Sequence, residues 1–161
     1  MARSPSPAGD EPIGVLICDD IEAMRNLLRI VVELDPRFHL AGEAGNGDEA
    51  VTQAQELQPD VILLDLSMPG RTGLDVLPAI RVVAPAAAVI AFSGLDESVV
   101  GEAALAAGAV LFLQKGAAPD AILAAIEGVH LGGRGAGYIA PAQNGGYETR
   151  ADVQAPAPLD S

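Results

Sequence analysis

Residues 61–77 read VILLDLSMPGRTGLDVL, and how this stretch divides decides the fold. Residues 61–64 are an apolar run without alternation, as expected of a strand covered on both faces of a parallel sheet. Asp65 stands at the end of that run. Farther on, Leu74, Leu77, Ile80 and Val83 recur at helical spacing, so the stretch reads strand, loop, helix. Pro78 is the misfit, because proline suits a helix only near its first turn or at a kink.

The same unit repeats in both directions. Short apolar runs recur at 13–18, 38–42, 88–92 and 110–113. Met24, Leu27, Leu28, Val31 and Leu34 predict a helix whose other side carries Arg25, Asn26, Arg29 and Glu33. Ala50, Val51, Ala54 and Leu57 predict the next helix. Val100, Ala103, Ala104 and Ala107 predict another, and Ile122, Leu123, Ile126 and Val129 the last, with Pro119 suited to its first position. Five strands alternating with five helices give an α/β fold: a doubly wound, five-stranded parallel sheet with helices on both faces, over residues 13–131. Residues 1–12 are expected to be a disordered arm. Residues 132–161 are expected to be a disordered Pro/Gly/Ala-rich tail without a helix-turn-helix.

Composition narrows the function. The 161 residues hold 22 Asp and Glu against 9 Lys and Arg, a formal charge of −13. Such acidity argues against nonspecific binding to nucleic acid or an anionic membrane. With 50% hydrophobic residues the chain is no disordered polyanion. The lone Cys18 excludes an intrachain disulfide and a thiolate metal cluster, and is expected to pack as a small hydrophobe. Neither a secretion signal nor an apolar run of the ~18 residues a membrane span needs is present, so a cytoplasmic location is expected. Of the cationic residues eight are Arg, which leaves Lys115 as the single lysine.

In doubly wound sheets the working groups gather at the carboxyl ends of strands, beside the point where strand order reverses. Here those ends carry Asp19 and Asp20, Asp65, Ser93 and Lys115. Taken singly, Asp20 reads as a helix N-cap, Ser93 as a turn residue and Lys115 as a solvated charge. Brought to one edge they read differently. Three carboxylates ~5 Å apart repel by ~3 kcal/mol per pair at an effective dielectric near ~20. A hard, oxygen-liganded cation such as Mg²⁺ would offset that cost. Lys115 supplies a compact ammonium where a phosphoryl group would need one.

The motifs CDD (18–20), LLDLSMPGRTGLDVL (63–77), AFSG (91–94) and FLQKG (112–116) resemble the receiver domain of two-component response regulators. The resemblance covers residues 13–131, and GEAGNGDEAV (42–51) is most similar to receivers of the NarL/LuxR type. It implies a flavodoxin-like (βα)5 fold. Asp65 would be the phosphoacceptor for a histidine kinase or phosphotransfer protein, and the chain would catalyse only its own phosphorylation and dephosphorylation. Asp20 and Asp65 would bind Mg²⁺ directly, with Asp19 helping through water and the Ser67 backbone carbonyl completing the protein ligands, and Mn²⁺ as the alternative ion. Ser93 and Lys115 would bind phosphoryl oxygens, and Ser93 with Phe112 would form the switch. Three positions depart from the commoner pattern. Gly116 replaces a proline, Phe112 lacks a tyrosine hydroxyl, and neither Ser67 nor Leu95 is an acid or amide able to position an attacking water. The last departure implies a long-lived phosphoryl state.

Without a DNA-binding effector domain, output is expected through an unidentified downstream protein or a second copy of the chain. The alternative readings are a phosphorylation-independent interaction module on the same fold, or the receiver fragment of a transcriptional regulator. The complete acid, serine and lysine set speaks against the former. A dehalogenase-type phosphohydrolase would need its D-x-D on the first strand, and a nucleotide-binding P-loop is missing.

Overall fold

The computed structural model describes residues 11–95, 97–132, 139–141 and 147–149. Its elements are β1 (Ile13–Cys18), α1 (Glu22–Glu33), β2 (Phe38–Ala44), α2 (Gly47–Leu57), β3 (Val61–Asp65), α3 (Gly73–Val83), β4 (Ala88–Ser93), α4 (Glu97–Ala107), β5 (Leu111–Gln114) and α5 (Pro119–Leu131). The five strands are parallel and ordered β2-β1-β3-β4-β5. That is the doubly wound sheet expected from the repeated strand–helix pattern. Strand order reverses between β1 and β3, so the loops leaving these neighbours part and open a crevice at their carboxyl ends.

Every residue of β1, β3 and β4 is buried, which is why these runs are apolar without alternation. Edge strand β2 is fully buried only at Phe38 and Ala44. Successive side chains go to opposite faces of the sheet. One face packs Val15, Ile17, Leu63 and Ile90 against Leu28 and Val32 of α1 and Ile122, Ala125, Ile126 and Val129 of α5. The other packs Leu16, Ile62, Leu64, Val89 and Phe112 against α2, α3 and α4 through Ala54, Val76, Leu77, Ile80 and Ala104.

Three local expectations change. In α1 the buried residues are Leu28, Val31 and Val32, while Leu27 and Leu34 are 52% and 78% exposed. Apolar residues occur around more of this helix than one face can hold, and packing on the sheet selects among them. Pro78 lies past the first turn of α3, on its exposed side, where the lost hydrogen bond costs least. Within 132–161, β6 (Ile139–Pro141) and β7 (Tyr147–Thr149) form an antiparallel pair. The remaining residues of that segment beyond Gly132, and residues 1–10, lie outside the described residues, as does the disorder expected there.

Helix starts show why the loops hold their shape. Thr72 and Asp75 form a capping box at α3, with the Thr72 hydroxyl accepting the Asp75 N–H at 3.2 Å and the Asp75 carboxylate accepting the Thr72 N–H at 3.0 Å. Asn46 caps α2 by accepting the Glu49 N–H at 2.9 Å. The N-cap of α1 is Ile21, which offers no side-chain bond, so Asp20 does not have the capping role its position suggests.

Candidate functional site

β1 ends where Cys18 pairs with Ala44 on one side and Leu64 on the other. The ladder runs one residue further, since the Asp19 N–H donates to the Ala44 carbonyl at 3.0 Å. The Asp19 side chain is then fixed by the turn it makes: Oδ1 accepts the Ile21 N–H at 2.8 Å. Its main-chain carbonyl accepts Arg25 Nη1 at 2.6 Å. Oδ2 of this fully buried residue is left without an aligned hydrogen-bond donor, although Lys115 Nζ lies 3.0 Å away.

Asp65 closes β3 on the adjacent strand and is 1% exposed. Its Oδ1 accepts the Ser67 N–H at 2.9 Å, and its Oδ2 accepts Lys115 Nζ at 3.1 Å. Beneath it lies Gly73, the first residue of α3, where a Cβ would stand 2.2 Å from the Asp65 carbonyl oxygen. Only glycine lets α3 start this close to the end of β3. Lys115 is placed by β5, whose pairing with β4 is extended when the Lys115 N–H donates to the Ser93 carbonyl at 2.7 Å. Ser93 is buried at the end of β4, and its Oγ accepts the Leu95 N–H at 3.0 Å.

One carboxylate oxygen from each of Asp19, Asp20 and Asp65 lies within 4.8 Å of the others. Burial raises the Asp65 pKa above the ordinary carboxyl value; the Ser67 N–H and the Lys115 ammonium oppose this, and the Asp19 charge adds to it. Burial also works against the charge on Lys115, but the Asp19 and Asp65 carboxylates beside it outweigh that and raise its pKa. Cys18, buried and beside Asp19, has its thiol pKa pushed up, which leaves it an inert core residue. The donor set suits Mg²⁺: hard oxygens, one exposed acid, and the buried Asp19 Oδ2, which has the Lys115 charge near it but no aligned hydrogen bond.

The structure therefore brings Asp19, Asp20, Asp65 and Lys115 together. Ser93 lies on the neighbouring strand end and is hydrogen-bonded within its own loop. Ser67 is tied to Asp65 through its N–H. Phe112 is fully buried in the core on the α2–α3–α4 face, paired across strands with Ala91. Two residues of the site were not singled out from sequence. Arg25 had only been placed on the outer side of α1, and Gly73 had only been one position of a motif. Each acts on the backbone of an aspartate rather than on its carboxylate.

A buried aspartate pair held by one lysine, at the carboxyl edge of a 2-1-3-4-5 parallel sheet, defines a signalling receiver. The chain belongs to the response regulator receiver domain family, which it matches over residues 15–127. It is 41% identical over 116 residues to the nitrate/nitrite response regulator protein NarP of Escherichia coli, covering 72% of this chain and 54% of NarP. It is 35% identical over 115 residues to the chemotaxis protein CheY of Thermotoga maritima, covering 71% of this chain and 95% of CheY. Among solved structures, the signal receiver domain of the putative response regulator NarL from Mycobacterium tuberculosis superposes with a TM-score of 0.72 at 31% identity, covering 76% and 98% of the two chains. The chain thus spans about half the length of NarP but nearly the whole of CheY. It is a response regulator receiver domain. Among the described residues no helix is long and apolar enough to cross a membrane.

Proposed function

We propose that Asp65 is the phosphoacceptor and that Asp19, Asp20, Asp65 and the Ser67 carbonyl hold the metal. The observation that carries this reading is the contact of the only lysine with Asp65 Oδ2, beside two further acids. A carboxylate oxygen of Asp65 attacks the phosphorus of a kinase phosphohistidine. The P–N bond breaks, the histidine nitrogen leaves and takes a proton from water, and Asp65 becomes an acyl phosphate. Bound Mg²⁺, or Mn²⁺ in its place, supplies positive charge to the phosphoryl oxygens. Lys115 is already within reach and exchanges a carboxylate contact for a phosphoryl one. Ser93 Oγ accepts the Leu95 N–H, so its own hydrogen is available to donate to a phosphoryl oxygen.

Ser93 and Phe112 are the switch in this reading, and a histidine kinase or phosphotransfer protein is the donor. The reading also places the chain in the cytoplasm, with output through a protein partner or a second copy rather than through DNA. Its acidity supports that choice. The test is intact mass after incubation with Mg²⁺ and acetyl phosphate. Wild type should gain one phosphoryl group and Asp65→Asn none. A wild type that stays unmodified, or an Asp65→Asn variant that is modified equally, would overturn the reading.

A further inference from the structure

We infer that Arg25 is a positioning residue for the metal site, acting through the main chain of Asp19. The inference rests on the reading that the three acids bind Mg²⁺. α1 lacks a side-chain N-cap, and Ile21 contributes main-chain bonds alone: its carbonyl accepts the Met24 and Arg25 N–H groups and its N–H donates to Asp19 Oδ1. Arg25, one turn into α1, adds a side-chain bond from the helix to the turn: its Nη1 donates to the Asp19 carbonyl at 2.6 Å. A charged donor on a carbonyl is among the stronger hydrogen bonds. The guanidinium is held from a third element as well, with Nε 3.9 Å from Glu43 Oε1 of β2.

Asp19 is consequently fixed at three of its four polar atoms. Its N–H is held by Ala44, its carbonyl by Arg25 and its Oδ1 by the Ile21 N–H. The fourth, Oδ2, is buried in the acid cluster and faces Lys115 Nζ at 3.0 Å without an aligned hydrogen bond. A carboxylate held in this way keeps its free oxygen directed into the acid cluster, so little but the Lys115 contact must adjust when a cation enters. Groups behind metal ligands commonly change metal affinity by about ten- to a hundred-fold when removed.

The experiment is Mg²⁺ titration of the full chain by isothermal calorimetry, with the Mg²⁺-dependent rise in Tm as a second readout. Arg25→Met keeps the apolar stem and removes the donor, and should weaken Mg²⁺ binding by about ten-fold. Arg25→Lys, which keeps a cationic donor, should recover part of that loss. A lower Tm in Arg25→Met with an unchanged Mg²⁺ dissociation constant would show a purely structural role and overturn the inference. Should Arg25→Met not fold, Gly45→Ala gives the same reading, because its Cβ would stand 3.3 Å from Arg25 Nη1 and press on the guanidinium. Weaker Mg²⁺ binding in that variant supports the inference and unchanged binding overturns it. Absence of Mg²⁺ binding in wild type would instead refute the metal-site reading itself.

Discussion

Lys115 and Asp65 hold opposite positions in the energetics of the same cluster. The ammonium is all that separates two buried carboxylates, so Lys115→Ala leaves Asp19 and Asp65 facing each other. Removing one partner of a buried ion pair typically costs about 3 kcal/mol or more, and urea unfolding without divalent ions should show a loss of that order. Added Mg²⁺ should recover part of it. Asp65→Asn acts in the other direction. Because burial holds the Asp65 pKa above its ordinary value, the ionised form is disfavoured by folding. The neutral amide should therefore raise the Tm at neutral pH without metal, and Lys115 keeps Asp19 as its partner. The sign follows from proton uptake: the native state holds the Asp65 proton to higher pH than the unfolded chain does. Wild-type stability thus falls relative to Asp65→Asn as pH rises through that window. Thermal unfolding as a function of pH should show the gap closing on acidification and vanishing below the ordinary aspartate pKa of about 3.9.

At the scale of elements, the junction of β3 and α3 is the tightest in the fold. Gly73→Ala would set a methyl 2.2 Å from the Asp65 carbonyl oxygen, and the atoms it meets, from Asp65 and Leu66, are all backbone. Strand and helix must part, at a cost of about 3 kcal/mol, with Asp65 displaced. Denaturation midpoint and acetyl-phosphate uptake should fall together, which separates this variant from one that only loosens α3. The same junction shows what sequence could and could not supply. Strands β1, β3 and β4 were legible because burial on both faces demands unbroken apolar runs, and the acids at the ends of β1 and β3 were legible because the fold gathers them at one edge with Lys115, where a capping role for one alone does not account for the set. The buried face of α1 was not, since Leu27, Ile30 and Leu34 are as apolar as the residues that go inside. Nor was the part played by Arg25, which exists only because the β1–α1 turn folds back onto its own helix.

For the molecule as a signalling element, the lifetime of the acyl phosphate sets how long a message lasts. Ser67 and Leu95 flank the site, both exposed, and neither carries a group that would hold a water in line for attack. Decay of the phosphorylated chain, followed by mass after removal of acetyl phosphate, should take many minutes, and Leu95→Gln should shorten it several-fold. A wild-type half-life of seconds would contradict this. The sheet itself contributes rigidity. Asp19, Asp65, Ser93 and Lys115 stand on four adjacent strand ends whose register is locked by buried ladders, so only loops and side chains remain free to respond.

That Lys115 is the sole lysine has a chemical corollary. Acylation of a side-chain amine, by a reagent or by a reactive metabolite, has a single address in this chain. It would replace the cluster's cation with a neutral amide, leaving the carboxylates 3.0 and 3.1 Å from it uncompensated. If Lys115 binds the phosphoryl group as proposed, one such event would disable that binding while leaving every acid intact. Conversely, shielding of that amine from an acylating probe would report directly on whether the site is engaged.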